Sequence, residues 1–295
     1  MPKRTSKNSG IALVEMMIAV AVGSMVLAGA AYFLSTGSLL VAKNLSINVS
    51  HSSLRTSIDN IIQAVDQTNG TVSLIDGTGT AVTTGSAEGV VFDKFVGGPF
   101  LVTHPGGTGI SAATTTLTLV RSMAPKASPP IPQYGDVILL EGATEVRLTV
   151  DTVTAGAAVA GLQTITVNLQ AAAGTAILWD SGTTKTADVV RKIAFVVVPK
   201  TVGNVIINNE LRYFDSYSNI SSASTLMTMD VGIDGPGATT KYGKPFSTLA
   251  VNGRNFLKVD LHIQDKTYAN RLANKEVNQF STTEQVGLVL APKNF

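Results

Sequence analysis

A long run without charge near the N-terminus constrains this chain more than any other feature. Between Glu15 and Lys43 lie 27 consecutive uncharged residues, most of them apolar. A helix rises about 1.5 Å per residue, so this run would extend for about 40 Å. The hydrocarbon core of a bilayer is about 30 Å thick. The sequence therefore predicts a membrane-competent helix over residues 11–42.

The start of this segment carries a distinctive charge pattern. The first ten residues hold three cations and no acid, and they end in the small residue Gly10. Glu15 is the only charge in the apolar stretch, and a carboxylate inside a membrane helix costs about 3 kcal/mol. If the chain were cut after Gly10, the new amino group of Ile11 would lie in the same apolar layer as Glu15. In a bundle of parallel helices, the amine of one chain could then pair with the carboxylate of its neighbour and set their stagger.

This arrangement resembles the N-terminus of type IV prepilins and of the pseudopilins of type II secretion. The resemblance covers about the first 60 residues. It implies that a prepilin peptidase cleaves after Gly10 and methylates the amine of Ile11, and that Glu15 serves filament assembly. Two positions depart from the family pattern. Ile11 stands where Phe is usual, and Tyr32 stands where major pilins often have proline.

The resemblance also implies partners and a location. The partners would be other pilin or pseudopilin subunits, the prepilin peptidase, an inner-membrane assembly platform and, before assembly, the lipid bilayer. The chain would cross the bacterial inner membrane once, with its head outside the cytoplasm, and then enter a pilus or pseudopilus in the periplasm or at the cell surface. Its size is similar to that of larger minor pilins and J-type minor pseudopilins, whereas Glu15 argues against a K-type tip subunit. Pilus, secretion, adhesion and DNA uptake all remain open.

Beyond Lys43 the helical pattern becomes amphipathic. Apolar residues recur at spacings of four and three from Ile47 to Val65, with His51 as the one polar member of that face. We interpret His51 as a contact between the helix and the head. The helix is predicted to continue to about Asp66, where the segment 68–70 ends it.

The rest of the chain shows the period of two that is typical of β-strands. Alternation is clean over 145–151, 163–170 and 257–264, where His262 would lie on the solvated face, and the apolar run 193–199 predicts a strand buried on both faces. Shorter candidate strands lie at 90–92, 116–120, 137–140, 211–214 and 286–290. The predicted fold class is α+β and type IV pilin-like, with the amphipathic half of the long helix packed on an antiparallel, β-rich head. The predicted parts are a leader over 1–10, a hydrophobic helix over 11–42, an amphipathic helix over 43–68 and a head over 69–295.

The sequence offers little for catalysis or metal binding. The chain has no cysteine, and its histidines, at positions 51, 104 and 262, are far apart. The segment 230–235 is only a weak match to a calcium loop, because the alternating acids and the final Glu are missing. The single tryptophan, Trp179, is interpreted as a packing residue. We therefore expect no catalytic residue, no metal, no cofactor and no enzymatic activity.

Charge and signal patterns bear on other functions. Of 22 cations against 20 acids, the three in the leader would be removed by cleavage, leaving 19 against 20, so no specific nucleic-acid binding is expected. One alternative is an exported or membrane-anchored β-rich binding module outside any filament, since Ala28–Ala30 fits a signal-peptidase site. Against it, Glu15 interrupts the apolar region and the apolar run continues past Ala30. An envelope enzyme on a membrane stalk lacks a candidate nucleophile–base pair.

Overall fold

The computed structural model describes residues 9–83, 85–103, 109–123, 128–140, 145–175, 177, 185–202, 205–228, 231–232, 243–251, 254–264 and 283–290. The described residues fall into two compact units. The first holds the N-terminal part of a long helix, up to Ser50. The second holds the remainder of that helix, from His51 onward, together with the β-strands.

The helix, α1, extends from Ser9 to Asp66 without a proline. Its last turn is closed by two hydrogen bonds. The amide of Gln67 donates to the carbonyl of Gln63 at 3.1 Å, and the buried hydroxyl of Thr68 donates to the carbonyl of Ala64 at 2.8 Å. These bonds satisfy carbonyl groups that have no partner inside the helix. Thr68 then begins the first strand, which confirms the predicted end of the helix.

Fourteen described strands follow the helix. Their bounds are β1 Thr68–Ile75, β2 Ala81–Val82, β3 Ser86–Ala87, β4 Gly89–Thr103, β5 Thr116–Ser122, β6 Val137–Leu140, β7 Val146–Val159, β8 Leu162–Leu169, β9 Lys185–Val202, β10 Val205–Phe214, β11 Thr225–Thr228, β12 Phe246–Val251, β13 Arg254–Gln264 and β14 Thr283–Leu290. Every pairing between these strands is antiparallel, as predicted.

Six of the strands close into a barrel. The two long strands β4 and β9 pair with each other from Gly89↔Val196 to Val102↔Lys185. From β4 the pairing continues to β5, β8, β7 and β6, and β6 pairs back onto β9. The β7–β8 hairpin is joined by Ala160 and Gly161, both with positive φ, as a two-residue turn between right-twisted strands requires.

The interior of this ring is a hydrophobic cluster that we call the barrel core. It holds Phe100, Val102, Ile110, Leu117, Leu119, Ile138, Leu140, Leu148, Val150, Ile165, Val167, Leu169, Ile177, Ala187 and Val189. Every member comes from the β-rich part of the chain, and among the described residues none comes from α1. Among the described residues, the barrel core is therefore built by strands together with the isolated bridge between Ile110 and Ile177, without the helix.

A second cluster, the helix core, surrounds the end of α1. The long strands β4 and β9 continue beyond the barrel and join β1, β2, β10 and β11, while β3, β12, β13 and β14 form a separate four-stranded sheet. Apolar residues of the helix pack with residues from both sheets; the buried members are Leu54, Ile58, Ile61, Ala64, Val65, Leu74, Ala87, Val90, Phe92, Ile193, Phe195, Val197, Leu211, Val231, Phe246, Leu257, Val259, Leu261 and Ile263. The predicted packing of the amphipathic helix under strands is confirmed from Leu54 to Val65.

Strand β9, which contains the run 193–199 predicted to be buried on both faces, lies at the centre of the second unit. Residues Ile193, Phe195 and Val197 of β9 belong to the helix core, whereas Ala194 and Val196 face a small cluster on the other side of the sheet. All five are at most 1% exposed. Because β9 is covered on both sides, its sequence is continuously apolar rather than alternating.

Other expectations need correction. His262 was expected to be solvated, but its side chain is only 12% exposed and its Nε2 lies 3.4 Å from Oδ1 of Asp260. At this position β13 is flanked by Gln285 of β14 on one side and by residues 231–232 on the other, where the amide of Gly232 donates to the carbonyl of His262 at 2.8 Å. His51 is exposed, and Leu54 is a buried residue of the same helix, while the interpretation of His51 as a contact between the helix and the head stays a prediction. Strands β1, β2, β3, β11 and β12 were not predicted, because they are short or combine polar residues with apolar ones.

Candidate processing and assembly segment

The residues predicted for processing lie at the beginning of α1. Gly10 and Ile11 follow Ser9, the first residue of the helix. Glu15 comes four residues after Ile11, and residues at this spacing lie on the same side of a helix one turn apart. Glu15 is exposed. The helix thus places the proposed new terminus and the carboxylate on one face of the apolar segment, while their roles remain predictions.

The segment that follows is long and apolar enough to cross a bilayer. It comprises Leu13–Ala42, 30 residues with a mean hydropathy of 2.1, and none of these residues is buried. Its large side chains are open to the surroundings, as shown by Met25 at 75% exposure and Phe33 at 77%. An apolar surface of this extent requires lipid or other apolar helices around it. The segment therefore has the character of a membrane anchor.

Polar and small residues within the segment are compatible with that environment. The hydroxyl of Ser24 donates to the carbonyl of Ala21, and the hydroxyl of Ser38 donates to that of Ser35, each at 2.8 Å. These bonds satisfy two hydroxyls that lipid could not. An added Cβ at Gly23, Gly29 or Gly37 would meet no atom within 4 Å. These glycines therefore leave shallow sites at which another helix could approach closely.

Comparison with known proteins supports this interpretation of the N-terminus. A family model described as "Prokaryotic N-terminal methylation motif" matches residues 5–31. Neither the comparison with curated proteins nor that with solved structures finds a match. The motif indicates a precursor of the type IV pilin or pseudopilin class, and the apolar helix followed by an antiparallel β-rich unit is consistent with an α+β, pilin-like fold. The motif further implies processing by a prepilin peptidase and assembly with other pilin subunits.

The other residues considered for chemistry lie on different elements or outside the described residues. His51 lies on α1 and His262 on β13. His104, Trp179 and most of the candidate calcium loop at 230–235 lie outside the described residues. In the described part of the chain, no group of three or more His, Asp or Glu side chains is arranged to hold a metal. The expectation of a chain without enzymatic activity stays a prediction.

The β-rich unit also contains buried ion pairs that the sequence analysis did not identify. Asp136 is fully buried and accepts from Nε of Arg191 at 2.7 Å and from its Nη2 at 3.0 Å. The hydrogen bond and charge of Asp136 outweigh the effect of burial and raise the pKa of Arg191. The two residues adjoin the register pair Val137↔Val190, which joins β6 to β9. No local motif marks such a pair, because its partners meet only when the sheet forms.

Proposed function

We propose that this chain is a structural, non-enzymatic subunit of a type IV pilus or of a type II secretion pseudopilus, and a minor rather than a major subunit. One observation carries the proposal: the methylation motif over residues 5–31 overlaps the exposed apolar helix segment Leu13–Ala42. An apolar N-terminal helix alone would also suit a signal sequence. The combination favours a precursor that is cleaved before the helix and keeps it.

The proposed mechanism assigns one step to each N-terminal residue. Prepilin peptidase cleaves after Gly10 and methylates the amine of Ile11, and the mature chain stays in the inner membrane with its β-rich unit outside the cytoplasm. During assembly, Glu15 of one subunit pairs with the terminal amine of its neighbour. Since both charges lie in an apolar layer, an unpaired carboxylate there is costly, and pairing favours one axial stagger of the helices.

The size of the β-rich unit supports a minor role. Its two large hydrophobic clusters are the helix core and the barrel core, and among the described residues only the helix core includes residues of α1. A subunit that repeats along a filament needs only a compact head, whereas a subunit present in few copies can carry additional domains. The barrel is such an addition.

Cleavage is tested by the mass and sequence of the mature N-terminus. We expect envelope material to begin with a methylated Ile11. A mature protein that begins at Ala31 would contradict the proposal and favour the exported binding module, since the apolar helix would then be a signal sequence that is discarded.

Assembly is tested by Glu15→Ala. We expect the variant to insert into the membrane at least as well as the parent, because an intramembrane charge is removed, and to be largely lost from sheared filaments. Glu15→Asp should be intermediate, since the charge stays but reaches less far. Ser24→Ala, an uncharged change on the same exposed segment, is the matched control and should assemble normally. Parental amounts of the Glu15→Ala variant in filaments would refute the assembly role.

A further inference from the structure

The outer face of the large sheet carries a cleft that plays no part in processing or assembly. Its volume is about 710 Å³, within the range of small-molecule sites. Its floor includes Val91 and Val137, whereas their neighbours Val90 and Ile138 point into the helix core and the barrel core. The cleft therefore lies on the side of the sheet opposite both cores, where nothing else in the described part of the second unit fills it.

The lining of the cleft combines hydroxyl and amide groups with an apolar surface of similar extent. The polar uncharged side chains are Ser73, Thr149, Gln170, Ser216, Ser218 and Ser222. Ser218 and Ser222 bond to each other at 2.9 Å, so part of the lining is already organised. By contrast, the hydroxyls of Ser73, Thr149 and Ser216 make no hydrogen bond to other described residues. These groups suit a ligand with many hydroxyls better than an apolar one.

Two tyrosines give the cleft an aromatic wall. The side chain of Tyr134 is 67% exposed, whereas Asp136, two residues further along the chain, is buried. Tyr217 is held edge-on against Phe214, with ring centroids 5.5 Å apart, and its hydroxyl lies close to Gly79, where an added Cβ would be 2.9 Å away. Burial and the nearby Asp76 raise the pKa of Tyr217. An exposed ring beside hydroxyl groups is a surface on which the apolar face of a sugar can lie.

The charges of the lining leave one cation free. Arg147 is engaged by the buried Asp93 and, at 3.0 Å, by Glu145. Lys192 makes no ion pair with any described residue. The charged lining residues are Asp93, Arg147 and Lys192; with Glu145, which pairs with Arg147, their formal charges sum to zero, and Lys192 is the one cation among them without an ion pair to a described residue. This favours a ligand with a single negative charge over a polyanion such as nucleic acid.

We propose that this cleft binds an acidic saccharide, with the sugar ring against Tyr134 and a single carboxylate on the ammonium group of Lys192. Free hydroxyls of Ser73, Thr149 and Ser216 supply the remaining hydrogen bonds. The site is separate from α1, so the proposal stands whether or not the chain enters a filament.

The test is binding of matched saccharide pairs to the purified full chain in detergent, measured by titration calorimetry. The pairs are galacturonate with its methyl ester, and sialyllactose with lactose, so that each acidic member carries one carboxylate. We expect at least one acidic member to bind saturably and at least about tenfold more tightly than its neutral counterpart, as one charge-assisted hydrogen bond would give. If neither acidic probe binds more tightly than its counterpart, the proposal is wrong.

Three variants locate the effect. Lys192→Gln should remove the preference for the acidic member, and Tyr134→Ala should weaken both members of the pair by about threefold or more. Lys94→Gln is the matched control, since Lys94 lies on the neighbouring strand β4 but on the opposite face of the sheet, and it should leave binding unchanged. Near-ultraviolet circular dichroism verifies that each variant is folded. An unchanged preference in folded Lys192→Gln would overturn the assignment of the carboxylate site.

Discussion

The helix core and the barrel core solve the same problem, burial of apolar strand faces, in different ways. In the helix core, residues of α1 from Leu54 to Val65 pack against two sheets that do not pair with each other. In the barrel core, the sheet closes on itself and covers its own inner face. The first core depends on one helix, and the second depends on strand pairings distant in sequence.

The two cores are nevertheless continuous through their strands. Strand β4 places Val90 and Phe92 in the helix core and Phe100 and Val102 in the barrel core, and β9 is shared in the same way. The pairing of β4 with β9 extends from one core to the other, with register shifts between Phe95 and Phe100, so we expect loss of pairing at one end to weaken the other. The comparison therefore predicts that the cores differ in what builds them and still unfold together.

The largest effect is expected when a charged residue replaces a buried helix residue of the helix core. Because every helix residue in that core lies after Ser50, we expect a fragment beginning at Lys43 to be a soluble, folded monomer. In that fragment Ile58→Asp should prevent folding or cause aggregation, since Ile58 is 8% exposed and the new carboxylate would be buried without a partner. Thermal unfolding by circular dichroism measures the effect.

Ser52→Asp is the matched control for that substitution. Ser52 is exposed on the same part of the helix, so this change adds the same charge without burying it and should shift stability by less than about 0.5 kcal/mol. If Ile58→Asp melts within about a degree or two of the parent, corresponding to about half a kcal/mol, the apolar stripe is not buried in its own head. The stripe would then have to face neighbouring subunits.

An effect of intermediate size is expected when one buried isoleucine in each core is shortened to alanine, and this pair of variants tests whether the cores unfold together. Ile61 in the helix core and Ile165 in the barrel core are both fully buried, so Ile61→Ala and Ile165→Ala should each cost about 2–5 kcal/mol. The residues belong to different clusters, so the double variant should show the sum of the two losses within about 0.5 kcal/mol. Urea unfolding should show one transition in all three. Two separate transitions would show that β4 and β9 do not couple the cores.

The sequence predicts the parts of this fold that depend on local patterns, and it does not predict the parts that depend on pairing of distant strands. The stripe from Leu54 to Val65 repeats with the period of a helix, and the run from Ile193 to Val197 is apolar throughout, so both are visible in short windows. Closure of the barrel is not visible in this way. It depends on pairing of β4 with β9, which lie far apart in the chain, and their alternation would suit an open sheet equally well.

The candidate sites divide along a similar line. Gly10, Ile11 and Glu15 are neighbours in sequence, so their spacing alone is informative. The cleft combines Tyr134, Lys192 and Ser216 from separate elements, and no one of them is distinctive by itself. Such a site becomes apparent only once the register of the sheet is known.

The smallest expected effect is a pH dependence confined to the edge of the sheet beside the helix core. Glu210 of β10 is 1% exposed, with Lys200 Nζ at 3.0 Å and Arg212 Nη2 at 2.6 Å from its oxygens. Burial alone would raise the pKa of Glu210, but its two cationic partners outweigh burial and the net pKa is lowered. A carboxyl whose pKa is lower in the folded than in the unfolded state stabilises the fold above its unfolded pKa, and this stabilisation is lost as pH falls through the folded pKa.

Thermal melting from pH 6 to about pH 3 should therefore show a smaller acid-induced loss in Glu210→Gln than in the parent, because the amide cannot titrate. Glu145→Gln, a change at an exposed carboxylate paired with Arg147, is the control and should follow the parental curve closely. Identical acid profiles for the parent and Glu210→Gln would show that the pair of cations does not stabilise the charged form of Glu210, and the edge of the sheet would then contribute nothing specific to stability in acid.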